Sequence, residues 1–154
     1  MKRFYLVLMA LLLCISTACA KGGLSDMKIS IQITSDSGSH KLNATLADNS
    51  SATAFYELLK KGPLTVDMHD YGSFEKVGSL GTRLPRNDTQ ITTAAGDIIL
   101  YQGNQITIYY DTNSWNFTRL GKVVSTSSTT SITQAELKKI LGKGNVTAVF
   151  SVMK

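Results

Sequence analysis

Cysteine is nearly missing from this chain, and what there is sits at one end. Cys14 and Cys19 are the only two in 154 residues, and both fall within the first twenty. The remainder therefore holds no disulfide framework, no thiol nucleophile and no cysteine-based metal site, and its stability must come from a packed core. Histidine is almost as scarce, with only His40 and His69. His69 stands between Asp67 and Asp70. On a strand, Asp67 and His69 project from one side, which offers too few ligands to hold a metal ion. No metal and no cofactor are expected. Also missing are a Gly-x-Ser-x-Gly nucleophile phrase, a phosphate loop and a dinucleotide fingerprint. Dense basic clusters are absent beyond Lys138-Lys139 and Lys143, which read as a solvated helix face, so nucleic acid is not an expected partner.

The formal net charge is +5, and Lys2 and Arg3 supply two of it. Those two residues precede an apolar run over residues 4–15 that is too short to cross a membrane comfortably. Residues 1–20 have the layout of an export signal. Two cleavage readings stay open. Ala18-Cys19-Ala20 fits the small-x-small pattern, with the cut before Lys21. Ser16-Thr17-Ala18-Cys19 is similar to a bacterial lipobox, with Cys19 as the lipidated first residue. The expected destination is the cell envelope, lipid-anchored or periplasmic or secreted, with membrane contact only through Cys19. Residues 21–26 read as a tether. Residues 27–154 read as one domain, long enough to bury a real core and expected to be monomeric.

What is present is a series of short strands. Residues 27–34 alternate apolar and polar, and a Ser/Gly turn leads to a second strand at 40–46. Asp48-Asn49-Ser50-Ser51 can cap a helix whose Ala54, Phe55, Leu58 and Leu59 share one face, closed by Lys60-Lys61-Gly62-Pro63. A strand follows at 64–68. Residues 70–81 read as a loop with a short extended piece, and Leu84-Pro85 marks a break. The densest block is Gly96-Asp97-Ile98-Ile99-Leu100-Tyr101-Gln102-Gly103-Asn104-Gln105-Ile106-Thr107-Ile108-Tyr109-Tyr110, two strands around a turn centred on Gly103-Asn104. Ile106, Ile108 and Tyr110 fall on one face of the second strand, Thr107 and Tyr109 on the other. Residues 117–124 form another strand, and 125–131 read as a loop. Thr133-Gln134-Ala135-Glu136 is a capping box for a second helix, and 145–153 is the closing strand. Many short strands with two short helices indicate a mainly β chain closed into a barrel with flanking helices.

These phrases resemble those of the bacterial cyclophilin-like fold proteins of unknown function. The likeness rests on Gly62-Pro63-Leu64-Thr65-Val66, Asp70-Tyr71, Phe74-Glu75-Lys76, Leu84-Pro85, the Gly96 to Ile106 block and Trp115-Asn116-Phe117-Thr118-Arg119-Leu120-Gly121-Lys122. It implies a closed eight-stranded cyclophilin-like β-barrel with two flanking α-helices, a bacterial origin and frequent export. It does not imply prolyl isomerase activity. The Phe-His-Arg phrase of the cyclophilins proper has no counterpart here, so no catalytic residue is carried over.

The leading expectation is a non-catalytic module that binds a small molecule or a peptide segment. The alternatives are a divergent prolyl isomerase, or an accessory to flavodoxin-like redox proteins as the family association suggests. Arg119 beside Trp115, Phe117 and Tyr101 is the one combination that could hold a twisted X-Pro amide; otherwise Arg119 pairs with an acid on the barrel surface. Tyr71, Glu75 and Lys76 form a polar group on a Gly-rich loop that either binds a ligand or orders itself by an ion pair. Gln102 and Gln105 either line a site or serve the hairpin turn. Trp115 either stacks on a ligand or covers the barrel end.

Overall fold

The structure is a computed structural model that describes residues 24–125 and 130–154. Residues 1–23, on which the export-signal and Cys19 readings fall, and the middle of the Ser/Thr run lie outside the described residues. β1 (Leu24–Ser35) and β2 (Gly38–Ala47) form the expected hairpin, and β1 takes in the last residues of the stretch read as a tether. α1 (Ser50–Lys60) follows, capped by the Asn49 side chain, which accepts from the Ala52 amide at 2.8 Å. Then come β3 (Leu64–Tyr71), β4 (Glu75–Ser79), β5 (Thr89–Thr92), β6 (Asp97–Tyr101), β7 (Gln105–Tyr109) and β8 (Ser114–Val124). α2 (Gln134–Leu141) carries the capping box, with Thr133 and Glu136 each bonding the other's backbone amide. β9 (Val146–Val152) ends the chain.

Eight of these strands close into an antiparallel barrel in the order β2-β1-β9-β3-β4-β7-β6-β8, with β8 returning to β2. Closure removes the exposed strand edges that would otherwise pair with other chains. Gly121 lets the two ends meet, because a Cβ there would fall 2.5 Å from the Thr45 carbonyl oxygen. The interior is filled by Ile29, Ile31, Ile33, Leu46, Met68, Ile98 and their neighbours. Both helices contribute to the same core: Phe55 of α1 meets Phe150 of β9 edge-on at 5.8 Å, and Leu137 and Leu141 of α2 are fully buried.

Beyond the longer β1, the main departures from the sequence reading lie around one wall. The extended piece within the 70–81 loop is β4, a full barrel strand that pairs with both β3 and β7. Its apolar pattern is broken because an adjacent buried acid and buried base, Glu75 and Lys76, open the strand and Gly78 and Ser79 close it. β5 lies outside the ring, pairs only with the start of β8 and is too polar to signal a strand. Its partner residues Trp115 and Asn116, which read as loop, belong to β8. The β6–β7 turn is centred one residue earlier than expected. Gln102 and Gly103 both have positive φ (51° and 79°), and the Asn104 amide donates to the Tyr101 carbonyl oxygen.

Candidate ligand-binding groove

The wall β4-β7-β6-β8 is buried on both faces. Its inner residues join the barrel core, while Ile99, Tyr109 and Phe117 form a second apolar cluster outside, flanked by Phe74, Ile91 and Tyr101. A strand can be apolar on both sides only if both are covered. The outer cover is a run of rings in contact. Tyr71 meets Phe74 edge-on at 6.1 Å, Phe74 stacks on Tyr109 at 5.9 Å, Tyr109 tilts onto Phe117 at 5.7 Å, and Phe117 meets Tyr101 edge-on at 6.3 Å. Each such pair contributes about 0.5–1.5 kcal/mol beyond its buried area.

These rings line an open groove of about 660 Å³, within the usual size range of small-molecule sites. Tyr71 and Trp115 stand at its rim, each 61 % exposed, and among the described residues they are the two large aromatics left in solvent. The position of Phe74 is set by the β3–β4 turn, where Gly72 and Ser73 both adopt positive φ (57° and 59°). A Cβ on Gly72 would lie 2.1 Å from the Phe74 ring, so glycine at 72 is what lets that ring lie in the groove.

Among these rings sits one carboxyl group. Glu75 lines the groove and is only 7 % exposed, and its Oε2 has no hydrogen-bond partner among the described residues. Burial raises its pKa, and the Tyr109 hydroxyl lowers it only in part. Tyr109 is pushed up in turn, first by burial and then by Glu75. No Lys or Arg lines the groove.

The other expected site residues divide between this groove and elsewhere. Tyr71, Glu75, Tyr101, Gln105 and Trp115 come together in it. Gln102 lies outside it, in a smaller depression of about 380 Å³ shared with Tyr101, Trp115, Arg86 and Asp88. Lys76 points the other way. It is completely buried, pairs with Asp70 at 2.8 Å and donates to the Gly144 carbonyl oxygen. The ion pair on this loop is therefore Lys76 with Asp70, not Lys76 with Glu75. Arg119 lines neither depression. Its guanidinium reaches the buried Asp97 at 3.2 Å, and Lys122 reaches the same carboxylate at 3.4 Å. Of the groove's aromatic residues, Phe74 and Tyr109 went unremarked as site residues, and Phe117 was singled out only beside Arg119. The signal that could have found them is Tyr109 on the outward face of β7, where a strand covering a barrel usually turns polar.

A model of the cyclophilin-like family matches residues 35–151. The chain belongs to the cyclophilin-like family. Among solved structures, this cyclophilin-like domain is similar to a hypothetical protein from Archaeoglobus fulgidus, with a TM-score of 0.55 and 12 % identity, covering 82 % of this chain and 96 % of that one. At that identity the likeness bears on the fold alone. No curated protein matches the chain. No helix among the described residues is long and apolar enough to cross a membrane, and none of the described His, Cys, Asp and Glu side chains form a group of three or more suited to a metal ion.

Proposed function

We propose that this cyclophilin-like domain is a binding module whose outer-wall groove takes a small molecule or an exposed peptide segment. The observation that carries the reading is the continuous aromatic floor from Phe74 to Tyr101, open to solvent between Tyr71 and Trp115. A wall that needed only to be covered would close over its rings. Here the run is left part-exposed at Phe74 and Tyr101 and exposed at Tyr71 and Trp115, above the buried Tyr109 and Phe117, and it surrounds a polar group, which is the composition of a ligand site. Isomerisation of an X-Pro bond by the route that Arg119 offered lacks its donor in the groove, because that guanidinium is engaged with Asp97.

Amide chemical shifts of the labelled domain, followed while small aromatic compounds are added, test the reading. Saturable shifts are expected at Val77, Gly78, Ser79 and Gln105. Shifts confined to the α2 side of the molecule contradict it. A protease-coupled proline-peptide assay is expected to show no turnover.

The leader pattern over residues 1–20 supports export to the cell envelope, with Cys19 as a lipid-carrying residue. Palmitate labelling is expected to tag the wild-type protein and not Cys19→Ser. An untagged wild-type protein excludes the anchor.

A further inference from the structure

We infer that the groove selects an organic cation: a protonated amine with an N–H to donate, carried on an apolar stem. The inference rests on the groove being a binding site and adds the class of its ligand. Four observations lead to it.

Glu75 lines the groove with Oε2 shut off from water and unpartnered among the described residues. A buried oxygen without a donor costs free energy that only an arriving N–H or O–H recovers. A neutral apolar ligand would leave it unpaired, and an anion would face it across the same apolar walls.

The rings supply the second element. The faces of Tyr71, Phe74, Tyr109, Phe117, Tyr101 and Trp115 carry negative quadrupole charge, and a cation within about 6 Å of such a ring is attracted to it. Aromatic rings around a single carboxylate are a setting that favours ammonium groups.

The third element is what the walls lack. Of the groove-lining residues, the ionisable ones are Glu75, His69 on β3 and the tyrosines. Lys76, the nearest ammonium in sequence, is turned into the barrel and neutralised there by Asp70. No ammonium or guanidinium lines the groove to compete for the carboxylate, and the Tyr109 hydroxyl engages it only in part.

The fourth is shape. A metal ion would need more oxygen or nitrogen ligands than one carboxylate offers, and the described residues hold no such group. The groove is also much larger than an ammonium head. Much of the remaining lining is aromatic, which suits an apolar stem lying between Tyr71 and Trp115.

The chain carries one tryptophan, Trp115, and it stands on the rim, so its fluorescence reports binding without a label. The test compares 2-phenylethylamine, cationic at about pH 8, with its neutral analogue 2-phenylethanol, on the wild-type domain. The amine is expected to bind at least about tenfold tighter, the size of one charge-assisted contact together with cation–ring attraction. In Glu75→Gln the ratio is expected to fall towards one. A blocked tripeptide whose only cation is a lysine side chain forms a further arm. If it binds tighter than the free amine, the head group is a protein side chain; if the free amine is tighter, it is a small molecule. Equal binding of amine and alcohol by the wild-type domain overturns the cation inference and leaves the groove as a site. No response of Trp115 to any of the compounds overturns both. The wild-type comparison needs no variant, so it decides the matter even where Glu75→Gln folds poorly.

Discussion

Two adjacent residues of β4 show what each side of the barrel wall is for. Lys76 points inward and its polar partners are themselves paired. Its ammonium holds Asp70 and the Gly144 carbonyl, Tyr110 donates to Asp70 at 2.9 Å, and the Gly144 amide donates to Asp70 at 3.1 Å. Glu75 points outward, is nearly as buried, and has an oxygen with no partner among the described residues. A fully satisfied buried network holds a structure in one arrangement, and a half-satisfied one only costs stability. The inner side is therefore built for stability. The outer side gives up stability at one carboxyl, as binding sites commonly do.

The same contrast appears in proton affinity, with opposite signs. Burial pushes Asp70 up, but the hydrogen bonds from Lys76 and Tyr110 outweigh it, and the net effect holds it below its ordinary value of 3.8. Glu75 lies above its ordinary value of 4.5 because burial is opposed only by Tyr109. A depressed carboxyl stabilises the fold above its unfolded pKa, and that contribution is lost as pH falls through the folded value. A raised carboxyl does the reverse: stability declines as pH rises from about 4.5 through the folded pKa of Glu75, since the folded state there holds the proton longer.

Breaking the paired side has the largest expected effect. Asp70→Ala leaves the fully buried Lys76 ammonium with only a carbonyl, and is expected to cost about 3 kcal/mol in denaturant unfolding. Replacing the base instead, as Lys76→Met, removes the buried charge and leaves Asp70, which is part-exposed, to Tyr110, Gly144 and water; its cost is expected to be clearly smaller. Gly72→Ala comes next, at about 1–2 kcal/mol from the positive φ and the clash with Phe74, and it is expected to weaken amine binding together with stability. Glu75→Gln is expected to leave stability unchanged or raised at neutral pH, and to abolish the decline between pH 4.5 and neutrality that the wild type shows in thermal unfolding. Trp115→Ala is expected to change stability by no more than about 0.5 kcal/mol, because the ring is largely in solvent, while reducing binding in a calorimetric titration. A Trp115→Ala variant that unfolds readily would make the ring structural and erase the contrast between the two sides.

Much of the barrel was legible in the chain. The alternation in β1, the Asn49 cap, the Thr133–Glu136 box and the paired runs around residues 96–110 each carry their own local physics, and each appears in the structure. β4 was hidden because Glu75 and Lys76 are polar residues that tertiary partners bury on opposite faces, and no local pattern announces that. β5 was hidden because it covers little and needs little apolar character. The groove was half legible. Tyr71, Glu75, Tyr101, Gln105 and Trp115 stood out as aromatic or polar residues near loops. Phe74 and Tyr109 did not: Phe74 lay in a stretch read as loop, and an aromatic residue in a strand, as Tyr109 is, reads first as core. Which way Lys76 and Arg119 face depended on Asp70 and Asp97, partners fixed by strand register rather than by spacing along the chain.

The most direct test of the contrast is a carbon-13 NMR titration of the Glu75 and Asp70 carboxyls, with and without 2-phenylethylamine. Glu75 is predicted to titrate above 4.5 in the free domain and to move down when the amine binds, because a cation favours the ionised form, while Asp70 stays below 3.8 in both. A Glu75 midpoint at the ordinary value, unmoved by the amine, would contradict the account.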